Sequence, residues 1–300
     1  MYIAALILYN TEDTMTKSQR QWVSAAAIAA LLCALGGAVC LSLALIRDYD
    51  IALGHFRAGS GLHTAAAVLC ALGCLAGIPA AITVRRTGDA SPQPSGTRYG
   101  VTLFSTLAGL LFVLCFLFTA VRGEFPESTL ERIRLVLLVL SAGYFLLLPS
   151  QKKEKPLSFM ILSLIPILYG ILSVLCVYFN SALAMNAPMK TWGILLHLAM
   201  SLYFTCEARY ALDRVKPPYF ALLGIWAAVL GIAAGGAQLF AAVRGILPGA
   251  VLENAAVLAL GLLAAARVLS LGTEVPEETD GETPEESSAG ENPPETDAED

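Results

Sequence analysis

The sequence predicts an all-α, polytopic integral membrane protein of about eight transmembrane helices, arranged as repeated antiparallel hairpins and followed by a disordered acidic tail. Hydrophobic residues make up 56% of the 300 positions and charged residues 14%, with a mean hydropathy of +0.67. Most apolar residues fall in runs of roughly 20, the helix length that crosses a hydrocarbon core. An internal repeat predicts the hairpins. A soluble domain of this size could not bury so much apolar surface.

Residues 1–21 are predicted to form a cytoplasmic N-terminal extension. The segment from Met1 to Tyr9 is apolar but too short to span a bilayer, and it lacks the basic region that opens a secretory signal. We therefore expect no cleaved leader. Met15 begins a second, more ordinary start, with Trp22 at the membrane interface before the first long apolar run. Residues 1–14 are interpreted either as a gene-start artefact or as a loose extension.

Residues 22–271 are predicted to form the transmembrane domain, in which eight segments are long and apolar enough to span a bilayer. The fourth segment is the shortest. The predicted spans are 23–46, 62–84, 101–121, 133–148, 157–179, 192–212, 219–243 and 253–271.

Lysine and arginine predict the orientation, because cytoplasmic loops of membrane proteins are enriched in both. With both termini inside, twelve of the 19 basic residues lie at cytoplasmic ends, and Lys152, Lys153 and Lys155 form the tightest cluster. With this orientation, segment 85–100, which contains Ser-Pro-Gln-Pro-Ser-Gly, is predicted to be a flexible cytoplasmic connector. The sequence therefore predicts a multi-pass plasma membrane protein with cytoplasmic N and C termini.

The acidic residues are concentrated in a C-terminal tail, residues 272–300. This tail carries 12 of the 24 acidic residues and none of the 19 basic ones. It is rich in Glu, Pro, Thr, Ser and Gly and cannot bury enough apolar surface to fold, so we expect it to be disordered. The remaining chain is basic, which is usual for membrane proteins, and no nucleic-acid partner is predicted.

An internal repeat is visible when the chain is compared with itself. Eight residues recur 122 positions later: Phe118, Ala120, Val121, Arg122, Gly123, Pro126, Leu130 and Glu131 match Phe240, Ala242, Val243, Arg244, Gly245, Pro248, Leu252 and Glu253. At half that offset, Gly109, Gly170 and Gly231 share one register. A third copy is therefore predicted between the other two.

The repeated unit is a helical hairpin, with copies near 101–149, 157–212 and 219–271 and a divergent first hairpin at 23–84. Because each unit contains two spans, successive copies point the same way, and a ring or row of hairpins is expected. Two glycine pairs of Gly-xxx-Gly spacing, Gly73 with Gly77 and Gly231 with Gly235, would let helix backbones approach closely. The alternative is that glycine is simply common in membrane helices.

Ionisable residues inside spans are the first functional candidates, because burying a charge is costly unless it is paired, hydrated or reaches the interface. Glu207 lies fifteen residues after Trp192, and Arg267 fourteen residues after Glu253, so both reach a similar depth of roughly 22 Å. We expect Glu207 and Arg267 to form an intramembrane polar pair. Its role is either a gate or anionic-ligand site, or a structural ion pair, with Arg267 snorkelling as a further alternative.

A second candidate is a polar site at the outer face, formed by His197, His63, His55, Asp48 and Asp50. Carboxylates and imidazoles can bind divalent metals, but their spacing matches no established motif, so no metal and no cofactor is predicted. A histidine on a membrane helix is also commonly hydrogen-bonded to its neighbour. The seven cysteines all lie in apolar runs and indicate packing rather than disulfides.

Three functions remain open after searches for the nucleophile elbow, the phosphate loop, paired Cys-xx-Cys motifs and the dinucleotide fingerprint found nothing usable. The first is a non-catalytic membrane component, a scaffold or accessory subunit, and the sparse polar chemistry favours it. The second is a permease or channel for a small or lipophilic solute, and the third an intramembrane enzyme. Expected partners are the lipid bilayer and either a membrane protein or a second copy of the chain. The ligand, if any, is unknown.

Overall fold

The structure is a computed structural model that describes residues 17–85, 99–123, 125–150, 157–181, 184, 187–212, 214, 216–247 and 251–271. The elements are, in chain order, α1 (Lys17–Arg47), β1 (Tyr49–Asp50), β2 (His55–Phe56), α2 (Gly61–Leu75), α3 (Gly77–Arg85), α4 (Tyr99–Arg122), α5 (Thr129–Leu147), α6 (Leu157–Leu162), α7 (Ile165–Phe179), α8 (Pro188–Ala211), α9 (Pro217–Val243) and α10 (Val251–Leu271). A 3₁₀ turn, Leu148–Ser150, follows α5.

Seven helical segments of the described chain are long and apolar enough to cross a membrane, which confirms an all-α protein of the multi-pass membrane type. They are Ser18–Arg47, Gly61–Arg85, Tyr99–Arg122, Thr129–Ser150, Leu157–Phe179, Pro217–Val243 and Val251–Leu271. The predicted sixth span also forms a helix, α8, of 24 residues. However, Lys190, His197 and Glu207 make α8 more polar than the other seven segments.

The structure corrects several predicted boundaries. The first helix begins at Lys17, inside the predicted extension, and the fourth span is longer than predicted, because Thr129–Ser150 covers 22 residues. The second and fifth spans are each divided, at Ala76 and at Ser163–Leu164, shortly before Pro79 and Pro166. Proline lacks an N–H group and clashes with the preceding turn, which explains both breaks. The N-terminal residues 1–16, most of the 85–100 connector, the lysine cluster and the tail lie outside the described residues.

Two helices, α9 and α10, form the centre of the bundle. In the apolar stretches of α9 and α10, 72% and 67% of residues are buried, against 28–33% in the other membrane-length segments. Helix α9 packs against α1, α2, α3, α8 and α10, and α10 also packs against α4. The outer helices expose leucine, isoleucine and valine, as expected for surfaces in contact with lipid.

One end of the bundle carries the connection between α1 and α2, and we call it the loop end. There, β1 and β2 form a two-residue antiparallel ladder in which Tyr49 pairs with Phe56 and Asp50 with His55. Gly54 adopts a φ of 68° within the turn, a conformation that glycine permits. The opposite end, where α1 begins and α10 finishes, we call the terminal end.

The three glycines of the predicted repeat register each lie at the contact between two successive helices. A Cβ on Gly109 of α4 would lie 2.8 Å from Leu146 Cγ of α5, and one on Gly170 of α7 would overlap Ser201 of α8. At Gly231 of α9, it would lie 2.6 Å from the Cα of Gly261 on α10. The first two contacts need a small residue, and the third brings two backbones together.

The recurring Phe-x-Ala-Val-Arg-Gly sequence produces the same local structure twice. Gly123 and Gly245, which follow α4 and α9, have φ values of 68° and 66°. In each case the preceding arginine places its guanidinium over a phenylalanine ring one turn earlier, at 4.0 Å for Arg122 and 5.6 Å for Arg244. A left-handed glycine commonly ends a helix, so the repeated sequence predicts this repeated cap.

Candidate functional site

The predicted pair of Glu207 and Arg267 forms. Arg267 Nε lies 3.2 Å from Glu207 Oε1, and Arg267 Nη2 lies 3.4 Å from Glu207 Oε2. The side chains are 3% and 0% exposed, so the pair is enclosed between α8 and α10 near the terminal end. The two residues lie at a similar depth, as predicted from their positions along the helices, and their side chains meet between α8 and α10.

Aromatic residues surround this pair. The Tyr203 hydroxyl donates a hydrogen bond to Glu207 Oε1, and the guanidinium carbon of Arg267 lies 5.1 Å from the centroid of the Tyr210 ring. Tyr144 is also within electrostatic range of Glu207 and Arg267, although its buried hydroxyl has no hydrogen-bond partner among the described residues. The buried carboxylate thus receives both a countercharge and a hydroxyl donor, as a buried charge requires.

A second ion pair, which the sequence analysis did not predict, joins Arg134 of α5 to Glu253 of α10. Both guanidinium Nη atoms face the carboxylate: Nη1 contacts Oε1 and Nη2 lies 3.4 Å from Oε2. The Tyr169 hydroxyl donates to Glu253 Oε1 over 3.2 Å. The Arg134 and Glu253 side chains are 22% and 17% exposed, so this pair is less enclosed than the first.

The available sequence signal for the second pair was the presence of opposite charges in the first turns of two spans. The internal repeat aligns Glu253 with Glu131, whereas the ion-pair partner of Glu253 is Arg134, three residues after Glu131. The two ion pairs share a pattern: each links α10 to another helix, and in each a tyrosine donates to the glutamate.

Four of the five residues predicted at the outer face lie in or beside the turn between α1 and α2, and the fifth, His197, lies on α8. Asp48 accepts a hydrogen bond from Ser60 Oγ at 2.6 Å, and Asp50 Oδ1 accepts from the backbone N–H groups of Ala52 and Leu53. His55 pairs with Asp50 through the short ladder. The carboxylates therefore stabilise the turn at the loop end.

The two remaining histidines lie on different helices, and His63 is joined to that turn through Ser60 Oγ, which accepts a hydrogen bond from the His63 backbone N–H over 3.3 Å. His197 is buried on α8, where it interacts electrostatically with Glu253 and Arg134. His63 stacks on Phe56 with ring centroids 4.4 Å apart, and its Nε2 accepts a hydrogen bond from Trp192 Nε1 at 3.3 Å. Within the described part of the chain, no three His, Cys, Asp or Glu side chains are grouped as metal ligands.

A crevice with a volume of about 600 Å³ lies between α2 and α8, over α9. Its lining residues occupy one face of each helix: His63, Ala67, Cys70, Ala71 and Cys74 on α2, Pro188, Thr191, Trp192 and Leu195 on α8, and Trp226 and Leu230 on α9. It does not include either ion pair. His63 was a predicted site residue, but the crevice was not predicted, because it depends on the separation of two helices far apart in the chain.

The break between α2 and α3 shapes the far end of the crevice. Trp226 Nε1 donates to the backbone carbonyl of Cys74 over 3.1 Å, two residues before the break. A carbonyl at a helix break within a membrane needs a substitute donor, and the indole supplies one. This bond fixes the Trp226 ring as a wall of the crevice.

Comparison with protein-family models, with curated proteins and with solved structures gives no match for this chain.

Proposed function

We propose that this chain is a non-catalytic membrane component, a scaffold or accessory subunit that acts through contacts with another membrane protein. The observation that supports this proposal is that the glutamates of both interhelical ion pairs are satisfied by residues of the same bundle. Each glutamate has a bidentate or near-bidentate arginine and a tyrosine donor. A transport or catalytic carboxylate needs access to its substrate, whereas Glu207 is 2% exposed and held between two helices.

We further propose that α8 is an eighth crossing, that both termini are cytoplasmic, and that the bundle is built from repeated hairpins followed by a disordered tail. Near its start, Trp192 contacts His63 at the loop end, and near its finish Glu207 contacts Arg267 at the terminal end. A helix with contacts at both ends of the bundle covers the full depth of its neighbours. The moderate polarity of α8 is compatible with crossing because its polar groups face other helices.

The test of the scaffold proposal is extraction of the full-length chain from native membranes in a mild detergent such as digitonin. We expect a complex that contains a second polypeptide in a fixed ratio, and tagging that polypeptide should recover this chain in the same ratio. A harsher detergent provides the control, since it should separate the two. Recovery of this chain alone, as a monodisperse monomer under mild conditions, would count against the proposal.

A permease for a lipophilic solute is the second candidate, and the crevice is the observation that favours it. The crevice extends from His63 to Cys74 and Trp226, so a path across the bilayer would require it to continue to the terminal end. The permease hypothesis can be tested in proteoliposomes that contain the purified chain and a fluorescent monoacylglycerol in one leaflet. Movement of the dye between leaflets faster than in protein-free vesicles would favour the permease, and equal rates would favour the scaffold.

A further inference from the structure

The crevice between α2 and α8 has the form of a ligand site with one polar end. Its volume of about 600 Å³ is within the range of small-molecule pockets in proteins. From His63 to Cys74, α2 advances eleven residues, or roughly 16 Å along the helix. The lining beyond the first turn of each helix consists of alanine, leucine, cysteine and tryptophan. An extended hydrocarbon chain fits this length and this chemistry.

The polar end of the crevice offers hydrogen-bond donors. Because His63 Nε2 accepts from Trp192, the neutral imidazole carries its proton on Nδ1. Neither His63 Nδ1 nor the exposed Thr191 hydroxyl has a hydrogen-bond partner among the described residues. Phe56 stacks on the imidazole and fixes its plane at the loop end. Two neutral donors are thus available at the mouth.

In the described part of the chain, the lining of the crevice carries no charged side chain, and this limits the kind of ligand that it can bind. No Lys, Arg, Asp or Glu occurs among the described residues that line the crevice. Phosphate and carboxylate groups are normally bound by arginine or lysine, and an anion without such a partner is costly in an apolar site. The donors therefore suit an uncharged oxygen acceptor, such as a carbonyl or a hydroxyl.

We propose that this crevice binds a neutral, single-chain lipid with a carbonyl- or hydroxyl-bearing head. The head accepts hydrogen bonds from His63 Nδ1 and Thr191 Oγ1 at the loop end. The chain lies along Ala67, Ala71 and Cys74 of α2 against the Trp226 ring. This site does not depend on the scaffold role, because an accessory subunit and a permease can each bind such a lipid.

Intrinsic tryptophan fluorescence provides the test, because two of the three tryptophans line the crevice. The third, Trp22, is 65% exposed near the start of α1 and is removed by Trp22→Phe. The full-length protein in phosphatidylcholine nanodiscs is titrated with a monoacylglycerol brominated on its chain. The comparison is phosphatidylcholine carrying the same brominated chain at equal bromine content. We expect saturable quenching by the monoacylglycerol that its unbrominated form reverses, and weaker, non-saturating quenching by the phospholipid.

Substitutions in the crevice complete the test. Ala71→Phe should abolish the saturable quenching because its ring fills the chain site, and Ala67→Leu provides a second blocking variant if the first does not fold. Ala29→Phe is the matched control, since Ala29 is an exposed alanine of α1 outside the crevice. Thr191→Val should weaken binding by about fivefold, the effect of one hydrogen bond.

Three results would overturn the proposal. The first is quenching by the brominated phospholipid that equals that by the monoacylglycerol, which would show that bulk lipid fills the crevice. The second is saturable quenching that survives both Ala71→Phe and Ala67→Leu. The third is the loss of saturable quenching in Ala29→Phe to the same extent as in Ala71→Phe.

Discussion

At the scale of single residues, the cost of burial determines how the charged side chains of α10 are arranged. Arg267 is fully buried, and its partner Glu207 is 3% exposed at the side chain. Removing one partner leaves the other charge without compensation in an apolar surrounding, which costs more than the intact pair contributes. This asymmetry makes double substitution more informative than single substitution.

The first prediction concerns that pair. Glu207→Gln and Arg267→Met should each lower the stability of the detergent-solubilised protein by about 3 kcal/mol or more, because each leaves a buried charge unpaired. The double variant should lose less than the two single losses combined. Thermal unfolding and the yield of monodisperse protein measure this. Arg57→Met, at an exposed arginine in the loop, is the control, and additive losses would reject the pairing.

The stability of the protein should depend less on the ion pair between Arg134 and Glu253 than on the pair between Glu207 and Arg267. Arg134 and Glu253 are 22% and 17% exposed, so water and headgroups can partly solvate a charge that loses its partner. We expect Arg134→Met to shift the unfolding temperature by clearly less than Arg267→Met under identical conditions. An equal or larger shift would show that the two sites do not differ in solvation as their exposure indicates.

Two neighbouring tyrosines allow a matched comparison. Tyr203 donates to Glu207, whereas the buried Tyr144 hydroxyl has no hydrogen-bond partner among the described residues. Tyr203→Phe should therefore cost about 1.5 kcal/mol or more, because it removes a bond to a charged acceptor. Tyr144→Phe should be neutral or stabilising, because it removes an unsatisfied polar atom. Thermal unfolding of both variants tests this, and the reverse order would contradict it.

At the scale of helices, small residues determine where the elements meet. Of the two predicted Gly-xxx-Gly pairs, Gly73 and Gly77 both face α9, where an added Cβ would lie 3.0 Å from Val229 and 3.1 Å from Leu222. In the second pair, Gly231 is at the close crossing with Gly261, while Gly235 has room for a Cβ at 3.4 Å from Val257. The Gly-xxx-Gly spacing alone could not distinguish a glycine at a close contact from one with room for a Cβ, because it gives no information on the partner helix.

A further prediction concerns the crossing of α9 and α10 at Gly231 and Gly261. Gly231→Ala should destabilise the bundle, because its Cβ would lie 2.6 Å from the Cα of Gly261 and neither backbone can move without separating α9 from α10. Gly143→Ala is the matched control, since an added Cβ there meets nothing within 4 Å. We expect unfolding temperature to fall for the first variant and to stay level for the second. Equal behaviour of the two would show that the crossing tolerates a wider separation.

At the scale of the whole molecule, the number of crossings determines where the termini lie. Eight crossings place both termini on one side, whereas seven place them on opposite sides. Reporters that fluoresce only in the cytoplasm, fused in turn to each terminus, should both be active if α8 crosses. A phosphatase active only outside, inserted at the exposed Gly59 of the loop end, should be active as well. Termini on opposite sides would refute the proposed crossing by α8.

Much of this architecture follows from sequence patterns of about 20 residues. The helices begin and end within a few residues of the predicted spans, except that α1 starts six residues earlier, at Lys17. The pairing of Glu207 with Arg267 was also predictable, because depth can be counted along each helix at about 1.5 Å per residue. Of the five residues predicted to form a polar site at the outer face, Asp48, Asp50, His55 and His63 lie at the α1–α2 turn, whereas His197 is buried on α8.

The sequence by itself determined that the chain forms long apolar helices, since peptide groups in lipid must be satisfied within their own segment. Only the tertiary structure decided which helices are lateral neighbours. Arg134 contacts Glu253 across 119 residues, and His63 contacts Trp192 across 129. Such contacts depend on how complete helices pack around α9 and α10, and the periodicity of apolar residues along the sequence does not predict that arrangement. The second ion pair and the lipid-sized crevice therefore became visible only when the helices were assembled.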